Sequence, residues 1–540
     1  MKKRFKYILF SALVSTLLVS CYDMDVPVTT QITPDTYPKD SAQFVASAGV
    51  VYAALRGNYA MDYYFVTELS SDEAILPARG GNWYDNKGYR NFHYHEWTPD
   101  YGWAVSCWDW LSRVIGYDNQ TMYVLQSNMP EGNLKTRMMS ELRMVRALAY
   151  FYMMDLYGNV PIVTTYGDFE QKAKTDRKEV FNFIESEIKA CLPNLTTTVN
   201  AVTYGYPTKY MAYALLAKMY LNAEYYTGTK RYDDCIAACD NVITSGKYTL
   251  ATTSNYLQMF YPNNGPSTPE FIFAIPFDPS YTALGGTNGM MYRARYDVPR
   301  SEKAKFGLPF TPSAPESTLP EFYANFDDPN DVRNKQWLTG LQYMNDGVTP
   351  VLVKTTNVGY NQFFVGTDEE KKATYTYQVN LTPNVVLRQD SILFDCGNDE
   401  IAWNMGYRNI KFYPDASSTS RNQNNDMPVF RYSDILLMKA EAILRGGNAT
   451  NGQTALSLVN DVRSKRTSST PWTAVALDDL YKERAREFAY ETWRRNDMIR
   501  FGKFEGKWGF KKDARESRRI FPIPTAAMIK NPKLIQNPGY

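Results

Sequence analysis

Histidine is almost missing from this 540-residue chain, which has two, His93 and His95, beside six cysteines. That scarcity leaves little material for a metal centre built on imidazole or thiolate. The five cysteines after residue 21 (Cys107, Cys191, Cys235, Cys239 and Cys396) are odd in number and form no disulfide framework, so the fold does not depend on bridges, and Cys235 and Cys239, one helical turn apart, read as small apolar core residues. An excess of one charge is also missing: 59 Lys and Arg stand against 57 Asp and Glu, which excludes a nucleic-acid footprint. After residue 20 there is no run of about 18 apolar residues, so no spanning helix is expected in the body. Walker-type loops, GxSxG elbows and HExxH helices are absent, and no cofactor is expected. What the chain has in quantity is aromatics, 42 Tyr and 10 Trp among them. Their flat apolar faces with polar rims suit the C–H faces of sugar rings, although the same residues pack helices.

The first residues carry a distinct signal. Met1-Lys2-Lys3-Arg4 leads into an apolar run from Tyr7 to Val19 and then Leu18-Val19-Ser20-Cys21. A basic start, a hydrophobic stretch too short to span a bilayer and small residues before a cysteine read as an export signal over 1–20. Leu-Val-Ser-Cys matches the bacterial lipobox, so Cys21 is the expected lipidation site. Several acyl chains, at about 0.8 kcal/mol per buried CH₂, make a durable anchor. Residues 1–20 hold four of the 59 basic residues and no acidic one, so removing them leaves 55 against 57 and a net charge of −2. Residues 21–40, with Pro27, Pro34 and Pro38, read as a tether.

From Ser41, a plausible cap, Phe44, Val45, Ala48, Tyr52 and Leu55 mark a helical face. Similar spacing predicts helices near 104–128, 133–157, 177–191, 207–226, 232–245, 430–446, 452–466 and 477–501. Stripes such as Tyr213, Leu216, Ala217, Tyr220 and Leu221 mix small and large residues as stacked tetratricopeptide-like pairs require. Residues 262–428 differ: they are crowded with Pro, Gly, Asn and Asp, and only short β-like runs such as 271–275 and 351–355 interrupt them. The predicted fold is mostly α, a tetratricopeptide-like scaffold built from 41–261 and 429–540, carrying a loop-rich variable lobe at 262–428 with short β segments.

Motifs then accumulate in order. Arg146-Ala147-Leu148-Ala149-Tyr150-Phe151-Tyr152 runs through Asp155-Leu156-Tyr157-Gly158-Asn159-Val160-Pro161. Arg431-Tyr432-Ser433-Asp434-Ile435-Leu436-Leu437-Met438-Lys439-Ala440-Glu441-Ala442 follows, then Asn460-Asp461-Val462-Arg463, then the Glu483 to Gly502 stretch, and finally Phe521-Pro522-Ile523-Pro524 and Asn537-Pro538-Gly539-Tyr540. With the lipobox, this series resembles the SusD/RagB family of Bacteroidetes outer-membrane nutrient-binding lipoproteins. The resemblance implies a cell-surface, lipid-anchored protein of the outer membrane that binds oligosaccharides and delivers them to a SusC-like TonB-dependent transporter, and that is not an enzyme. The same scaffold binding peptides, as the RagB branch implies, and a surface glycoside hydrolase are the alternatives.

Resemblance also places a ligand face after Ser71-Asp72-Glu73-Ala74. Asp72, Arg79, Asn82, Trp83 and Tyr84 are therefore candidate ligand residues: Gly80-Gly81 lets the aromatic pair project, and the polar members suit hydroxyls. In the lobe, Tyr292 and Trp337 are further candidates, with Tyr281, Tyr296, Arg293 and Arg295 nearby. Three constellations read as weaker. His93 and His95, on alternate positions of an expected strand with Glu96, lack another strong ligand, and no metal is expected. Glu487 and Glu491 sit amid arginines and read as ion pairs rather than as a glycosidase acid pair. Asp327 to Asp331 lacks the EF-hand pattern and reads as a solvated turn.

Overall fold

The computed structural model describes residues 37–80, 82–278, 296–355, 375–388, 393–418 and 422–540. Cys21 and Tyr292 lie outside them.

Helices dominate the described residues, and each packs on the next. The stripe beginning at Phe44 gives Ser41–Ser47 and Gly49–Gly57. The cap of the first is Asp40, not Ser41: its carboxylate accepts from Gln43 N at 2.8 Å, one residue earlier than expected. Gly102–Asn128 packs on Asn133–Tyr157, which packs on Arg177–Cys191. Lys209–Leu221 packs on Tyr232–Ile243, that helix on Tyr432–Leu444, and the latter on Ala455–Arg463. Contact that runs from neighbour to neighbour is the mark of a helical repeat array. Ala214, Ala217, Cys235, Cys239, Ala440 and Ala442 are fully buried in it, where small side chains let helix axes approach. All five cysteines after Cys21 are buried and unpaired.

The chain leaves this array after Ile243 and rejoins it at Tyr432. Exit and return are joined by an antiparallel ribbon, Phe271–Ile275 with Met427–Arg431, in which Arg431 faces Phe271 and Met427 faces Ile275. Both strands are buried throughout, Phe271–Ile275 as an unbroken apolar run and Met427–Arg431 as an apolar run closed by the ion-paired Arg431. Beyond this neck the lobe has short ribbons, such as Leu352–Thr355 with Tyr375–Gln378, a small core of its own around Phe306, Leu338 and Val379, and a second one in which its Phe394 and Met405 pack with Ile75 and Tyr94 of the N-terminal part. No helix of the described residues is long and apolar enough to cross a membrane.

The helix expected over 477–501 is two, Leu477–Phe488 and Arg494–Arg500. Between them Tyr490 and Thr492 take left-handed φ of 62° and 68°. Their N–H groups are accepted by the buried carboxylates of Glu73 and Glu68, more than 400 residues away in the chain. Burial and the neighbouring Glu68 charge push the Glu73 carboxyl well above its ordinary range. The arginine-rich pattern is periodic across this break, so the sequence does not show it.

Under the break lies a buried ion network. Glu487 bonds Arg333 at 3.1 Å, Arg431 at 3.0 Å and Arg466 at 3.0 Å, while Glu483 bonds Arg333 at 2.7 Å and Arg486 at 2.9 Å. Glu491 bonds Arg431 at 2.7 Å and pairs with Lys411. Burial opposes the charge on Glu483, but Arg333 and Arg486 outweigh it and hold its carboxyl down at about 2. Charges this deep persist only when paired, so these carboxylates are committed to holding helices and lobe together.

Candidate functional site

The loop after the short strand Ala74–Ile75 is rooted rather than hung. Arg79 is fully buried, and its guanidinium donates to the carbonyls of Pro315 (3.2 Å), Ala402 and Met405 (2.9 Å) and to Ser317 Oγ (3.1 Å). No carboxylate of the described residues bonds it, and burial lowers its pKa. Arg79 is thus corrected from ligand contact to loop anchor: each nitrogen of its donor fork is bonded within the protein. Asp72 is corrected likewise. Its carboxylate takes Arg494 in a two-point pair at 2.6 and 2.7 Å. Trp337, the third correction, is 6% exposed and packs among Phe326, Tyr323 and Tyr490, so it belongs to the core.

Above the Arg79 root the backbone turns tightly. Arg79 N bonds Asn82 O at 3.1 Å and Asn82 N bonds Arg79 O at 3.0 Å. Gly80 has φ +59°, and a Cβ there would stand 2.5 Å from Asn398 Oδ1 and 2.8 Å from the Trp403 ring. Only glycine fits both the turn and that approach. Gly80 N also bonds Gly397 O at 2.9 Å, so the 394–403 segment backs the loop.

The outer part of the loop is strained. Trp83, Asp85, Asn86 and Lys87 all have left-handed φ, between 40° and 69°, at about 1–3 kcal/mol each. Such strain collects at ligand clamps and persists where surrounding packing holds it. Here the packing is aromatic: the half-buried Trp83 meets Tyr296 edge-on at 5.5 Å and Tyr89 at 6.4 Å, Tyr89 meets Trp103 at 5.7 Å, and Phe65 meets Trp103 and Tyr296 at 5.0 Å each. Tyr84 is half-exposed without a ring partner among the described residues, and Asn82 is exposed with its amide on Gly80 O at 3.1 Å. Of the five candidates on this segment, the structure therefore brings Asn82, Trp83 and Tyr84 together at the surface.

Sequence reasoning missed the opposite wall. Trp403, with the Arg300 guanidinium 4.2 Å above its ring and its buried indole N–H without a partner among the described residues, abuts Gly80 together with Asn398. A Gly-Gly pair announces a close approach, yet nothing local names the neighbour some 320 residues on. The arrangement offers aromatic faces, an amide and half-exposed hydroxyl chemistry in one place. That set holds polyols by stacking and hydrogen bonds.

The weaker constellations resolve locally. His93 and His95 lie on and just after a helix, Gly88–Tyr94, rather than on a strand. His93 Nε2 accepts from Leu76 N at 3.0 Å with its ring stacked on Phe394, and burial pulls its pKa down to about 3. His95 bonds Ser70 O at 3.2 Å amid Trp97, Phe504 and Trp508. Asp328 accepts from Ser469 and Thr467 hydroxyls, each at 2.8 Å, and Asp331 pairs with Arg333 at 2.6 Å.

Comparison with known proteins converges. The starch-binding protein SusD of Bacteroides thetaiotaomicron is 24% identical over 502 residues, covering 88% of this chain and 84% of that one. SusD-like protein P38 of Formosa agariphila is 25% identical, with 100% of both chains covered. Among solved structures, a laminarin-binding SusD-like protein matches with a TM-score of 0.70 at 21% identity, covering 93% of this chain and 100% of that one. Surface glycan-binding protein A from Bacteroides thetaiotaomicron, in complex with laminarihexaose, matches with 0.70 at 18%, covering 92% and 99%. These likenesses establish a shared fold. A family model described as starch-binding associating with outer membrane matches residues 24–221, and the SusD family model matches residues 214–540, well over half of the length: the chain belongs to the SusD family.

Proposed function

We propose that this protein binds oligosaccharide at the cell surface, anchored to the outer membrane through Cys21, and passes its ligand to a SusC-like TonB-dependent transporter without chemical change. The observation that carries the reading is the rooted, strained loop that holds Asn82, Trp83 and Tyr84 at the surface beside Tyr89 and Trp103. Stacking on rings already fixed by packing costs little ordering entropy, so modest contacts yield useful affinity. Binding without turnover is supported by the fate of the acid pair that the sequence singles out. Glu487 and Glu491 are 0% and 2% exposed and committed to arginine and lysine partners. A hydrolase would need one such acid free to protonate a leaving group.

Glycan-array binding followed by calorimetry on the purified protein tests this reading, with chromatography of the incubated ligand as its counterpart. Binding with the oligosaccharide recovered intact is expected. Shortened products would replace the reading with a hydrolase. Recovery of a TonB-dependent barrel with the tagged protein from outer membranes tests the partner, and its absence would remove that part.

A further inference from the structure

A second cleft opens at the base of the lobe, beside the point where the chain leaves the helical array. It is a cavity of about 440 Å³ formed by the 3-10 turn Leu257–Phe260 and the bend that follows to Pro269. Asn255, Gln258, Tyr261, Asn263, Ser267 and Thr268 line it, and among the described residues no Asp, Glu, Lys or Arg does. In a chain with 21% charged residues, a cavity of this size without one is a chemical statement.

Its floor is fixed before any ligand arrives. Asn264 Nδ2 donates to Met259 O at 2.8 Å and Asp426 O at 3.0 Å, and its Oδ1 accepts from Asp426 N at 2.8 Å. Behind it Ala251 N donates to the Glu270 carboxylate at 2.8 Å, which Arg466 and Arg431 hold in turn. The rim is the reverse. Asn255, Gln258, Asn263 and Ser267 are exposed, and the side chains of Gln258, Asn263 and Ser267 bond to no group of the described residues. Tyr261 is half-exposed and stacked on Tyr413, with ring centroids 4.7 Å apart and planes at 30°, so its orientation is set.

We infer that this cleft is a second binding site for uncharged oligosaccharide, with no residue in common with the Trp83 loop. Side-chain amides present donor and acceptor together, which matches neighbouring sugar hydroxyls, and a fixed tyrosine ring supplies an apolar edge. Without a charged lining, neither a carboxylate nor an ammonium on the ligand gains anything there. An extended peptide would want a strand edge to pair with, and the cleft is bounded by turns. Two weak sites on one chain raise the retention of long polymers over short ones.

Hydrogen–deuterium exchange of the full chain tests this site by site. Maltohexaose, laminarihexaose, cellohexaose and xylohexaose serve as probes at about 10 mM, high enough to reveal millimolar binding. At least one should slow exchange across 255–269, and the double variant Gln258→Ala/Asn263→Ala should weaken that protection about fivefold, with protection at 79–88 unchanged. Both substitutions are at exposed positions, so melting should be unaltered. The inference is overturned if no hexasaccharide protects 255–269, if the double variant is protected as well as the parent, or if tetra-alanine protects the segment and no sugar does. Failure of the loop reading looks different, as absent protection at 79–88.

Discussion

The segment 483–500 and the loop 79–88 are both dense in groups that recognise ligands, yet the fold uses them in opposite ways. In the first, Glu483, Glu487, Arg484, Arg494 and Arg495 are all buried, and the ion pairs of the glutamates link helices to the lobe. In the second, one arginine is buried as an anchor, and the polar and aromatic residues above it stay at or near the surface. Charged groups taken out of water demand partners and become structure, whereas flat rings can be half-buried at little cost and still keep a face for a ligand. Charge density alone would draw a search to the first segment, whose glutamates are already paired inside the protein.

Breaking the first region should cost most. Glu487→Ala leaves Arg333, Arg431 and Arg466 short of a buried partner and is expected to destabilise by about 3–5 kcal/mol or to prevent soluble expression, read by denaturant unfolding. A loss under about 1 kcal/mol would mean the network is dispensable. Next comes acid sensitivity beneath the loop. Burial holds the His93 imidazole down at about 3, so the unfolded chain binds that proton first as pH falls below about 6.5. Folding stability is thus present at neutral pH and lost towards pH 3; between pH 6.5 and 4 the wild type should lose about 3 kcal/mol that His93→Gln does not. Parallel pH curves for the two proteins would contradict this.

Within the loop, effects should fall on binding rather than on folding. Trp83→Ala is expected to weaken oligosaccharide binding about tenfold, or about 1.4 kcal/mol by calorimetry, with melting lowered only slightly because the ring is half-buried. Asn82→Ala should be smallest, about threefold in affinity with no change in melting. Should the smaller residue matter more than the larger, hydrogen bonding rather than stacking would define the site.

Much of the scaffold was legible because it rests on local period. The spacing of apolar residues placed Arg177–Cys191 and Asn133–Tyr157 at their observed bounds, and Gly158, with φ +74°, ends the latter as its position suggests. Legibility failed where distant groups decide. The break at Tyr490 to Thr492 is held by Glu68 and Glu73, and the helical turn at His93 overrides an alternation that reads as a strand. Candidate residues followed the same rule. The position of Trp83 and Tyr84 near the surface follows from their loop, but Arg79 looked like a ligand residue because sequence does not show that Pro315, Ser317, Ala402 and Met405 close around it. Trp337 was misplaced for the same reason, its aromatic neighbours coming from two separate segments, Tyr323 with Phe326 and the distant Tyr490.

The most direct test of the central claim is calorimetric titration of wild type and Trp83→Ala with the strongest oligosaccharide from a glycan array. About tenfold weaker binding by a variant that melts like its parent is the expected result. Equal affinity in the two proteins, or an array on which the wild type binds nothing, would contradict a glycan site built on this loop.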